Sequence, residues 1–421
     1  MNLLLIHQSF VDPHHAGGTR HFELSSNLVR AGHAVTIVAG NVNYLTGQRF
    51  VDTWAPYAVQ QLEGVRILRA YVYPALHRSF LWRIVSFLSF MFSSVYAGLR
   101  AGPVDVVMGT SPPIFQLFSA WLVAALRRRP LLLEIRDLWP EFAIDMGVLK
   151  NPLLIRIARW AEAFLYRRAA HLLVNSPAFR DYLVGRGVAA KRITVIPNGT
   201  DVRMFQPDDR GAILRQELGL TEHFVVTYAG ALGLANDIPT VIQAADLLRD
   251  LPDIHILMVG DGKERPKLEQ RVRELGLQNM TFAGVFPKSR MGEVLAASDA
   301  CLAILQNIPM FSTTYPNKVF DYMAAGRPTV LAIDGVIREV VETAHGGVFV
   351  PPGNPRALAD AILQLKSDPE MAHSMGRSAR QYVETHFDRR DQAVQFEHLV
   401  CQVAHDAGQG PAPESPAEMQ P

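Results

Sequence analysis

The chain has 421 residues, of which 49% are hydrophobic and 19% charged, and this composition excludes disordered and fibrous proteins. Its two cysteines, Cys301 and Cys401, exclude a disulfide scaffold and a cysteine-based zinc or iron–sulfur site. The net charge of +1 conceals an asymmetry, since residues 1–200 hold 21 Lys and Arg against 11 Asp and Glu, whereas the remainder holds 20 against 29. The length predicts two domains, and their opposite charges predict that the two halves face either different partners or each other.

Apolar runs of strand length alternate with helical patterns throughout the chain. They are NLLLIHQ, AVTIVAG, VDVVMGT, LLLEIRD, HLLVNS and ITVIPNG, followed by FVVTYAG, IHILMVG, MTFAGV, ACLAIL, PTVLAI and GVFVPPG. Strands that are hydrophobic throughout and separated by helices are typical of parallel sheets covered on both faces. The predicted fold class is therefore α/β, with two Rossmann-like domains whose ligands bind in the cleft between them.

Composition also sets the expected domain boundaries. Residues 1–195 form the first domain, and 196–222, where Pro, Gly and Asp cluster, form an interdomain linker. The second domain covers 223–385 and a closing helix covers 386–404. Residues 405–421 lack apolar periodicity and are predicted to be a disordered tail.

The N-terminal sequence MNLLLIHQSF predicts a buried strand rather than a signal peptide. The loop after it contains Gly17 and Gly18 and leads into a helix carrying Arg20. Glycines let a ligand approach the backbone, and a helix N-terminus attracts anions. The adjacent His14 and His15 are interpreted as loop residues rather than metal ligands. The absence of a G-x-G-x-x-G motif disfavours a dinucleotide dehydrogenase.

Residues 81–99, LWRIVSFLSFMFSSVYAGL, are nearly long enough to span a bilayer. Their arginine and four serines favour a buried helix over a spanning one, with a membrane-facing helix as a further alternative. The nearby LRRRP (126–130) and IRIARWAEAFLYRR (155–168) are either solvated helix faces or a basic, aromatic surface that rests on anionic lipid. The positive charge of this half favours the second interpretation.

The fourth strand ends in EIRDLWPE, which places Glu134, Arg136, Asp137 and Glu141 at the ligand edge of the sheet. A carboxylate there can act as a general base or contact a substrate hydroxyl, and it can equally form an ion pair or cap the next helix. Both interpretations stay open.

Two turns in the second half could contact a nucleotide. TYAGALGLANDIPT has Gly230 and Gly233 between a strand and a helix, and FAGVFPKSRM puts Val285 or Phe286 where a flat base could lie. Each turn by itself is more typical of an ordinary βα connection.

The segment YPNKVFDYMAAGRPTV is the most specific pattern in the chain. Its helix begins with Asn317 and Lys318, and a cation in the first turn opposes the helix dipole. A bound anion would remove the conflict, whereas an ion pair with Asp321 is the weaker explanation. We therefore expect Lys318 to hold phosphate charge and Asp321 to accept hydrogen bonds from a ribose diol.

Taken together, these motifs resemble the family 4 glycosyltransferases of the GT-B fold. The resemblance extends from GGTRHFELSSNLVRAGHAVTIVAG through VIPNGTDVRMFQP, VGDG and YMAAGRPTV to GGVFVPPGNPRALADAI. SPPIF, EIRDLWPE and PNKVFDYMAAG are most similar to the subgroup with N-acetyl-L-fucosamine transferases of bacterial surface-polysaccharide assembly. The resemblance implies retaining transfer of an N-acetylated hexose or deoxyhexose from a UDP-sugar, without a metal or a cofactor.

The resemblance also implies roles for individual residues. Catalytic roles fall on Asp137, Arg136 and Lys318, and donor binding falls on Gly17, Gly18, Arg20, Gly230, Gly233, Val285, Asn317, Lys318 and Asp321. Asp137 would orient the acceptor, because the leaving phosphate itself can take the acceptor proton. The family's E-x₇-E pattern falls on Thr313 and Asp321, so the first acid is missing, and Arg136 stands where many members have histidine.

The expected partners are a nucleotide-sugar donor, a polyprenyl-diphosphate-linked or saccharide acceptor and an anionic membrane surface, with no nucleic acid. This predicts a cytoplasmic protein that is peripheral on the inner face of the plasma membrane. Two alternatives remain. One is a UDP-sugar 2-epimerase of the same architecture, and the other is a non-catalytic subunit that binds nucleotide sugar.

Overall fold

The computed structural model describes residues 1–15, 17–44, 47–51, 55–74, 80–205 and 210–408. The chain divides into two compact units. The first contains residues 1–12, 19–197 and 390 onward, and the second contains residues 13–18 and 198–389.

Each unit is built on one sheet. The strands are β1 (Asn2–His7), β2 (Ala34–Gly40), β3 (Tyr57–Leu62), β4 (Val65–Ala70), β5 (Val106–Thr110), β6 (Leu131–Ile135), β7 (His171–Val174), β8 (Ile193–Val195), β9 (Phe224–Ala229), β10 (Ile254–Val259), β11 (Met280–Gly284), β12 (Ala300–Ile304), β13 (Thr329–Ala332) and β14 (Gly347–Phe349). The strand orders are β3-β4-β2-β1-β5-β6-β7-β8 and β11-β10-β9-β12-β13-β14. All neighbouring strands are parallel except β3 and β4. The prediction of two parallel, Rossmann-like sheets is confirmed.

Helices connect the strands. They are α1 (Arg20–Arg30), α2 (Phe80–Leu99), α3 (Ile114–Arg127), α4 (Glu141–Asp145), α5 (Pro152–Arg168), α6 (Pro177–Gly185), α7 (Arg210–Glu217), α8 (Ile238–Leu247), α9 (Arg265–Leu275), α10 (Met291–Ala296), α11 (Asn317–Ala324), α12 (Val336–Thr343), α13 (Pro355–Ser367), α14 (Pro369–His386) and α15 (Arg389–Asp406). Local signals fix several starts. The Asn151 side chain, for example, accepts hydrogen bonds from the backbone N–H groups of Leu153 and Leu154 at the start of α5.

The hairpin of β3 and β4 forms one edge of the first sheet and is not predicted from the sequence. Its turn is Glu63–Gly64, where both residues have positive φ, 45° and 79°. Such a two-residue turn matches the twist of antiparallel strands. Because β3 alternates half-buried and exposed residues, it lacks the continuous apolar run by which the other strands were identified.

The first-domain helix α2 lies along its own unit. It contacts β1, β2, β4 and α3, and it buries Ser86, Phe90, Ser94 and Ala97 on one face. Ser94 donates to the carbonyl of Met91, so its hydroxyl is satisfied inside the helix. By length and composition Leu81–Leu99 could cross a membrane, and only 28% of it is buried. The serines therefore sit toward the protein while the opposite, apolar face of the helix is exposed.

The residues assigned to a linker, 196–222, are placed differently by the structure. From residue 198 onward they belong to the second unit, and Val202, Phe205, Leu214 and Leu220 are buried in its core. These buried apolar side chains make residues from 198 onward part of the second unit rather than a linker. The expected closing helix, 386–404, overlaps α15, whose residues from 390 pack with the first unit. This helix continues to Asp406, inside the expected tail 405–421, of which the residues from 409 onward lie outside the described part of the chain.

Candidate active site

Lys318 lies in the first turn of α11, where the sequence analysis expected an anion site. Its Nζ donates to the Tyr228 hydroxyl at 2.8 Å and to Oδ1 of Asn236 at 3.4 Å, and it lies 3.9 Å from the centre of the Tyr228 ring. Within the part of the chain that the structure describes, it forms no ion pair. Desolvation lowers the pKa of Lys318 to about 7. The ammonium group thus has neutral partners.

Gly230 lies against the side chain of Lys318. A Cβ built on Gly230 would lie 2.7 Å from Nζ of Lys318, so the lysine occupies the space that a side chain would fill. Gly260, at the end of the neighbouring β10, is equally restricted, because its Cβ would lie 1.8 Å from the carbonyl oxygen of Gly230. The two turns therefore approach each other so closely that neither has space for a side chain.

Two tyrosines, Tyr228 and Tyr322, anchor the end of β9 next to Lys318. The Tyr228 hydroxyl donates to the Ala231 carbonyl at 2.8 Å, and the Tyr322 hydroxyl accepts from the Ala229 backbone N–H at 2.9 Å. Burial raises the pKa of both phenols. They therefore remain neutral hydrogen-bonding groups, and they hold the glycine turn against α11.

Asp321 follows Lys318 by one turn but does not pair with it. Its Oδ2 accepts from Nζ of Lys288 at 2.5 Å, and its Oδ1 accepts from the Thr200 hydroxyl at 2.8 Å. The side chain of Asp321 is 14% exposed. Each carboxylate oxygen keeps a further lone pair, so Asp321 can still accept from a ligand while Lys288 neutralises its charge.

The other expected donor-binding residues are distributed around these groups. A Cβ on Gly18 would lie 3.7 Å from the Asn317 amide nitrogen, so the glycine loop that includes Gly17 reaches the start of α11. Oδ1 of Asn317 is buried and has no hydrogen-bond partner among the described residues. Val285 is exposed at the end of β11. A Cβ on Gly233 would meet no described atom within 4 Å, so the space beside this glycine is open.

Arg20 is positioned differently from the expectation that it binds donor phosphate. It is 2% exposed, its Nε donates to Glu134 at 3.1 Å, and its terminal nitrogens donate to the carbonyls of Pro197 and Ile196. A guanidinium group that is surrounded by protein acceptors in this way supports the first unit. Glu134 lies 114 residues from Arg20, so local spacing in the sequence does not predict their contact.

Glu134 is the centre of this buried cluster. It is fully buried, accepts from Nε2 of His21 at 2.5 Å and accepts from the Thr110 hydroxyl at 2.8 Å. Burial opposes its ionisation, but His21, Arg20 and Arg136 together hold the pKa of Glu134 well below its usual range. Burial also lowers the pKa of His21 and of His7, whose rings lie 4.4 Å apart. Both histidines are therefore neutral near pH 7.

Arg136 and Asp137 follow Glu134 at the end of β6. The Arg136 backbone N–H donates to the Ser111 hydroxyl at 3.3 Å, and Nε of Arg136 is buried with no hydrogen-bond partner among the described residues. Burial raises the pKa of Asp137 to about 6 despite the nearby charge of Arg136. Asp137 lines a small pocket together with Ser111, Ile114, Leu117, Ile135, Trp139, Glu162, Leu165 and Tyr166.

Glu162 shares that pocket and also titrates near neutrality. Burial raises the pKa of Glu162 to about 7, and the Tyr166 hydroxyl donates to it at 2.8 Å. Glu141, by contrast, accepts from Arg159 at 2.9 Å and from Arg186 at 2.5 Å, so it is part of an ion-pair network. These contacts favour the interpretation of Glu141 as a structural ion-pair partner rather than a catalytic residue. Among the described residues, no group of three or more His, Cys, Asp and Glu is arranged to hold a metal ion.

Several functional candidates were missed by sequence reasoning. Tyr228, Asn236, Lys288 and Thr200 all contact the two residues singled out in α11. Three of them lie more than 80 residues from their partner, so no local spacing reports the contact. Lys288 was visible in the FPKSRM segment, but its charge gave no indication of its partner.

Comparison with known proteins agrees with this architecture. A model described as "Glycosyl transferase 4-like domain" matches residues 16–199, and one described as "Glycosyl transferases group 1" matches residues 211–382. A protein from Escherichia coli (strain K12), WcaI, is 26% identical over 387 residues, which are 89% of this chain and 93% of that protein. Its name attributes to it glycosyl transfer in colanic acid biosynthesis.

Solved structures share the fold over nearly the full length. Sucrose-phosphate synthase from Thermosynechococcus elongatus has a TM-score of 0.75 at 21% identity, covering 96% of this chain and 99% of that one. HepE from Anabaena, in complex with UDP-glucose, has a TM-score of 0.71 at 20% identity, covering 95% and 99%. None of these matches supports the epimerase alternative. The chain belongs to the glycosyltransferases of the GT-B fold, with a family 4-like domain followed by a group 1 domain.

Proposed function

We propose that this glycosyltransferase takes its sugar from a UDP-sugar and that the donor diphosphate binds at the start of α11. The observation that carries the proposal is the desolvated ammonium of Lys318, which has a phenol and an amide as partners and no carboxylate among the described residues. A partly buried cation with only neutral partners is less stable than one with a counter-charge, and a bound anion can supply that charge. A diphosphate would supply it.

The surrounding backbone favours the same ligand. The first-turn N–H groups of α11, the dipole of that helix and the glycine turn at Gly230 all present positive partial charge near Nζ of Lys318. When the bond between sugar and phosphate breaks, negative charge grows on the leaving diphosphate. Donors fixed in place before the reaction stabilise that charge without further rearrangement.

Asp321 is proposed to bind the donor ribose. Lys288 and Thr200 occupy one lone pair on each of its carboxylate oxygens, which leaves acceptor capacity for a pair of adjacent hydroxyls. Oδ1 of Asn317, which no described residue contacts by a hydrogen bond, supplies a further acceptor close by. Val285, which is exposed at the end of β11, is proposed to contact the base.

On the acceptor side, Asp137 is proposed to orient the acceptor hydroxyl, with Arg136 beside it. Its pKa of about 6 means that the carboxylate is ionised at neutral pH and close enough to titration to exchange a proton. In a retaining reaction the leaving phosphate can take the acceptor proton. Asp137 then acts through position and charge rather than as an essential base.

The acceptor is proposed to be a polyprenyl-diphosphate-linked sugar or another saccharide used in surface-polysaccharide biosynthesis. The name of the full-length relative WcaI refers to such a polysaccharide. The subgroup with N-acetyl-L-fucosamine transferases, suggested by EIRDLWPE and PNKVFDYMAAG, stays a proposal, as do retention and the sugar transferred. Because Thr313 replaces the first acid of the E-x₇-E pattern, one alternative remains, a subunit that binds nucleotide sugar without turnover. At that position, the Thr313 hydroxyl donates to the Met310 carbonyl at 2.6 Å.

Calorimetric titration with UDP, GDP and NAD tests the donor site. We expect UDP to bind the wild type and to lose about a hundredfold in affinity in the Lys318→Ala, Asp321→Ala double variant, because a charge-assisted contact and a ribose contact are both removed. Lys267→Ala, an exposed lysine of the same unit, is the matched control. UDP binding that is equal in the double variant would place the donor elsewhere.

Turnover separates the enzyme from the non-catalytic alternative. The expected result is release of UDP from a UDP-sugar that depends on added acceptor, together with a new anomeric product by NMR. Tight UDP binding without release of UDP for any acceptor tested would favour the binding subunit.

A further inference from the structure

The outer helices of the first unit form an unusually apolar surface. The helices α2, α3 and α5 carry twelve exposed large hydrophobic side chains, among them Leu81, Phe92, Leu126, Leu153 and Ile157, whereas the described part of the second unit exposes four. Phe92 is 69% exposed and Trp160 is 60% exposed. Soluble monomers rarely expose apolar patches beyond a few hundred Å². A patch of this composition therefore indicates an interaction surface.

The three helices are neighbours, so the exposed groups share one layer. The α2 and α3 helices pack against each other, as do α3 and α5. Stacked rings join them, with Phe87 5.7 Å from Phe115 and Phe118 6.3 Å from Phe164. We refer to the exposed side of α2, α3 and α5, with Arg128 at the C-terminal end of α3, as the outer face.

The charge of the outer face is of one sign. The three helices contain six arginines and a single acid, Glu162, which is buried and faces inward. Arg83, Arg128 and Arg156 are exposed, and their guanidinium groups have no ion-pair or hydrogen-bond partner among the described residues. Cations without protein acids, placed beside exposed leucine, phenylalanine and tryptophan, match the boundary between lipid headgroups and acyl chains.

We propose that the outer face docks on the surface of an anionic phospholipid bilayer. Its apolar side chains would enter the headgroup region while its arginines pair with lipid phosphate. Pairing with a second copy of the chain is disfavoured, because two such faces would bring arginines together without acids to neutralise them. Spanning is disfavoured as well, because α2 uses its other face to pack on the sheet.

Docking would place the bilayer next to the proposed acceptor side. The inner face of α5 lines the Asp137 pocket through Glu162, Leu165 and Tyr166, while its outer face carries Leu153, Ile157 and Trp160. A lipid-linked acceptor would then approach Asp137 without leaving the membrane. Acceptor delivery rests on the proposed function, whereas docking does not.

Vesicle co-sedimentation of the full chain, without donor or acceptor, tests docking alone. We expect binding to vesicles with phosphatidylglycerol, weak binding to pure phosphatidylcholine vesicles, and a decrease at high salt. The variant Arg83→Gln, Arg128→Gln, Arg156→Gln should lose on the order of a hundredfold in affinity, since each arginine contributes about fivefold. The variant Phe92→Ser, Leu126→Ser, Ile157→Ser should lose about tenfold or more.

The control is Arg180→Gln, Lys267→Gln, Arg377→Gln, which removes the same charge from exposed positions away from the outer face. Equal binding by this control and by the arginine variant would reduce the effect to net charge and overturn the proposal. So would the absence of vesicle binding, or a concentration-dependent dimer that the apolar variant abolishes. Unchanged thermal unfolding midpoints verify that all three variants are folded. Because no glycosyl transfer is measured, failure here leaves the proposed function intact.

Discussion

The two units each hold a desolvated charge at the ligand edge of a sheet, and the two charges have opposite surroundings. Glu134 of the first unit receives hydrogen bonds from Arg20, His21 and Thr110. Lys318 of the second unit has only neutral partners, Tyr228 and Asn236, among the described residues. A charge that the protein neutralises itself supports the fold, whereas a charge with neutral partners indicates a ligand of opposite sign. The contrast thus separates a structural carboxylate from a proposed binding lysine.

The largest expected effect concerns Glu134, the charge that the protein itself neutralises. Glu134→Gln should lower the free energy of unfolding by about 3 kcal/mol, because it leaves Arg20 buried without its counter-charge. Urea denaturation at pH 7 measures the change. UDP affinity of the folded variant should equal that of the wild type. A variant of normal stability that no longer binds UDP would reverse the roles assigned to the two charges.

The second prediction uses the pKa of Lys318. Since the pKa of the free protein is about 7 and a bound diphosphate would raise it, UDP affinity should decrease by up to about tenfold per pH unit between pH 7.5 and 9.5. Titration in buffers of different ionisation enthalpy should show proton uptake. Lys318→Met should remove the pH dependence, and a persistent slope in that variant would assign the proton to another group.

The lowered pKa of Lys318 also predicts how the stability of the fold depends on pH. The folded-state pKa of Lys318 lies below its usual value of 10.5, so folding disfavours the charged form. The cost is fully present below pH 7 and disappears as the pH rises toward 10.5. Lys318→Met should therefore be more stable than the wild type at pH 6, with a smaller difference at pH 10.

The third prediction tests the space around the lysine. Gly230→Ala places a Cβ 2.7 Å from Nζ of Lys318, so the ammonium must move, and we expect about a tenfold loss of UDP affinity. Gly185→Ala, at the end of α6 in the first unit, is the matched control, because no described atom lies within 4 Å of its Cβ position. Equal affinity in the two variants would show that the crowding at Gly230 is irrelevant to the donor.

The smallest expected effect concerns Asp137. Asp137→Asn should retain turnover within about tenfold, as expected of an orienting group rather than an essential base. The acid limb of the wild-type pH profile, near the pKa of about 6, should disappear in this variant. Loss of turnover by several orders of magnitude with UDP binding intact would make Asp137 the base.

Asp137 also predicts a change in stability with pH. Its folded-state pKa is raised above the usual 3.8, so the wild type loses stability as the pH rises from about 4 to about 6. Asp137→Asn should not show this loss, which thermal unfolding across that pH range would measure.

The sequence by itself determined the elements and their order. Continuous apolar runs such as LLLEI and IHILMV identified buried parallel strands, because both faces of such strands must be apolar. The dipole conflict at the start of α11 singled out Lys318 before any contact was known. The edge strand β3 is not predicted because its half-buried and exposed residues give no continuous apolar run, and in β4 the arginines Arg66 and Arg69 interrupt the run.

Only the tertiary structure decided which charges meet. Arg20 was expected at the donor phosphates and lies instead on Glu134, 114 residues away. Lys288, 33 residues from Asp321, supplies the ion pair that Lys318 was considered for. Local propensity and spacing report neighbours along a helix or strand, whereas ion pairs depend on how strands order in a sheet. The tertiary arrangement therefore decides that Glu134 has cationic partners, whereas Lys318 has only neutral partners among the described residues.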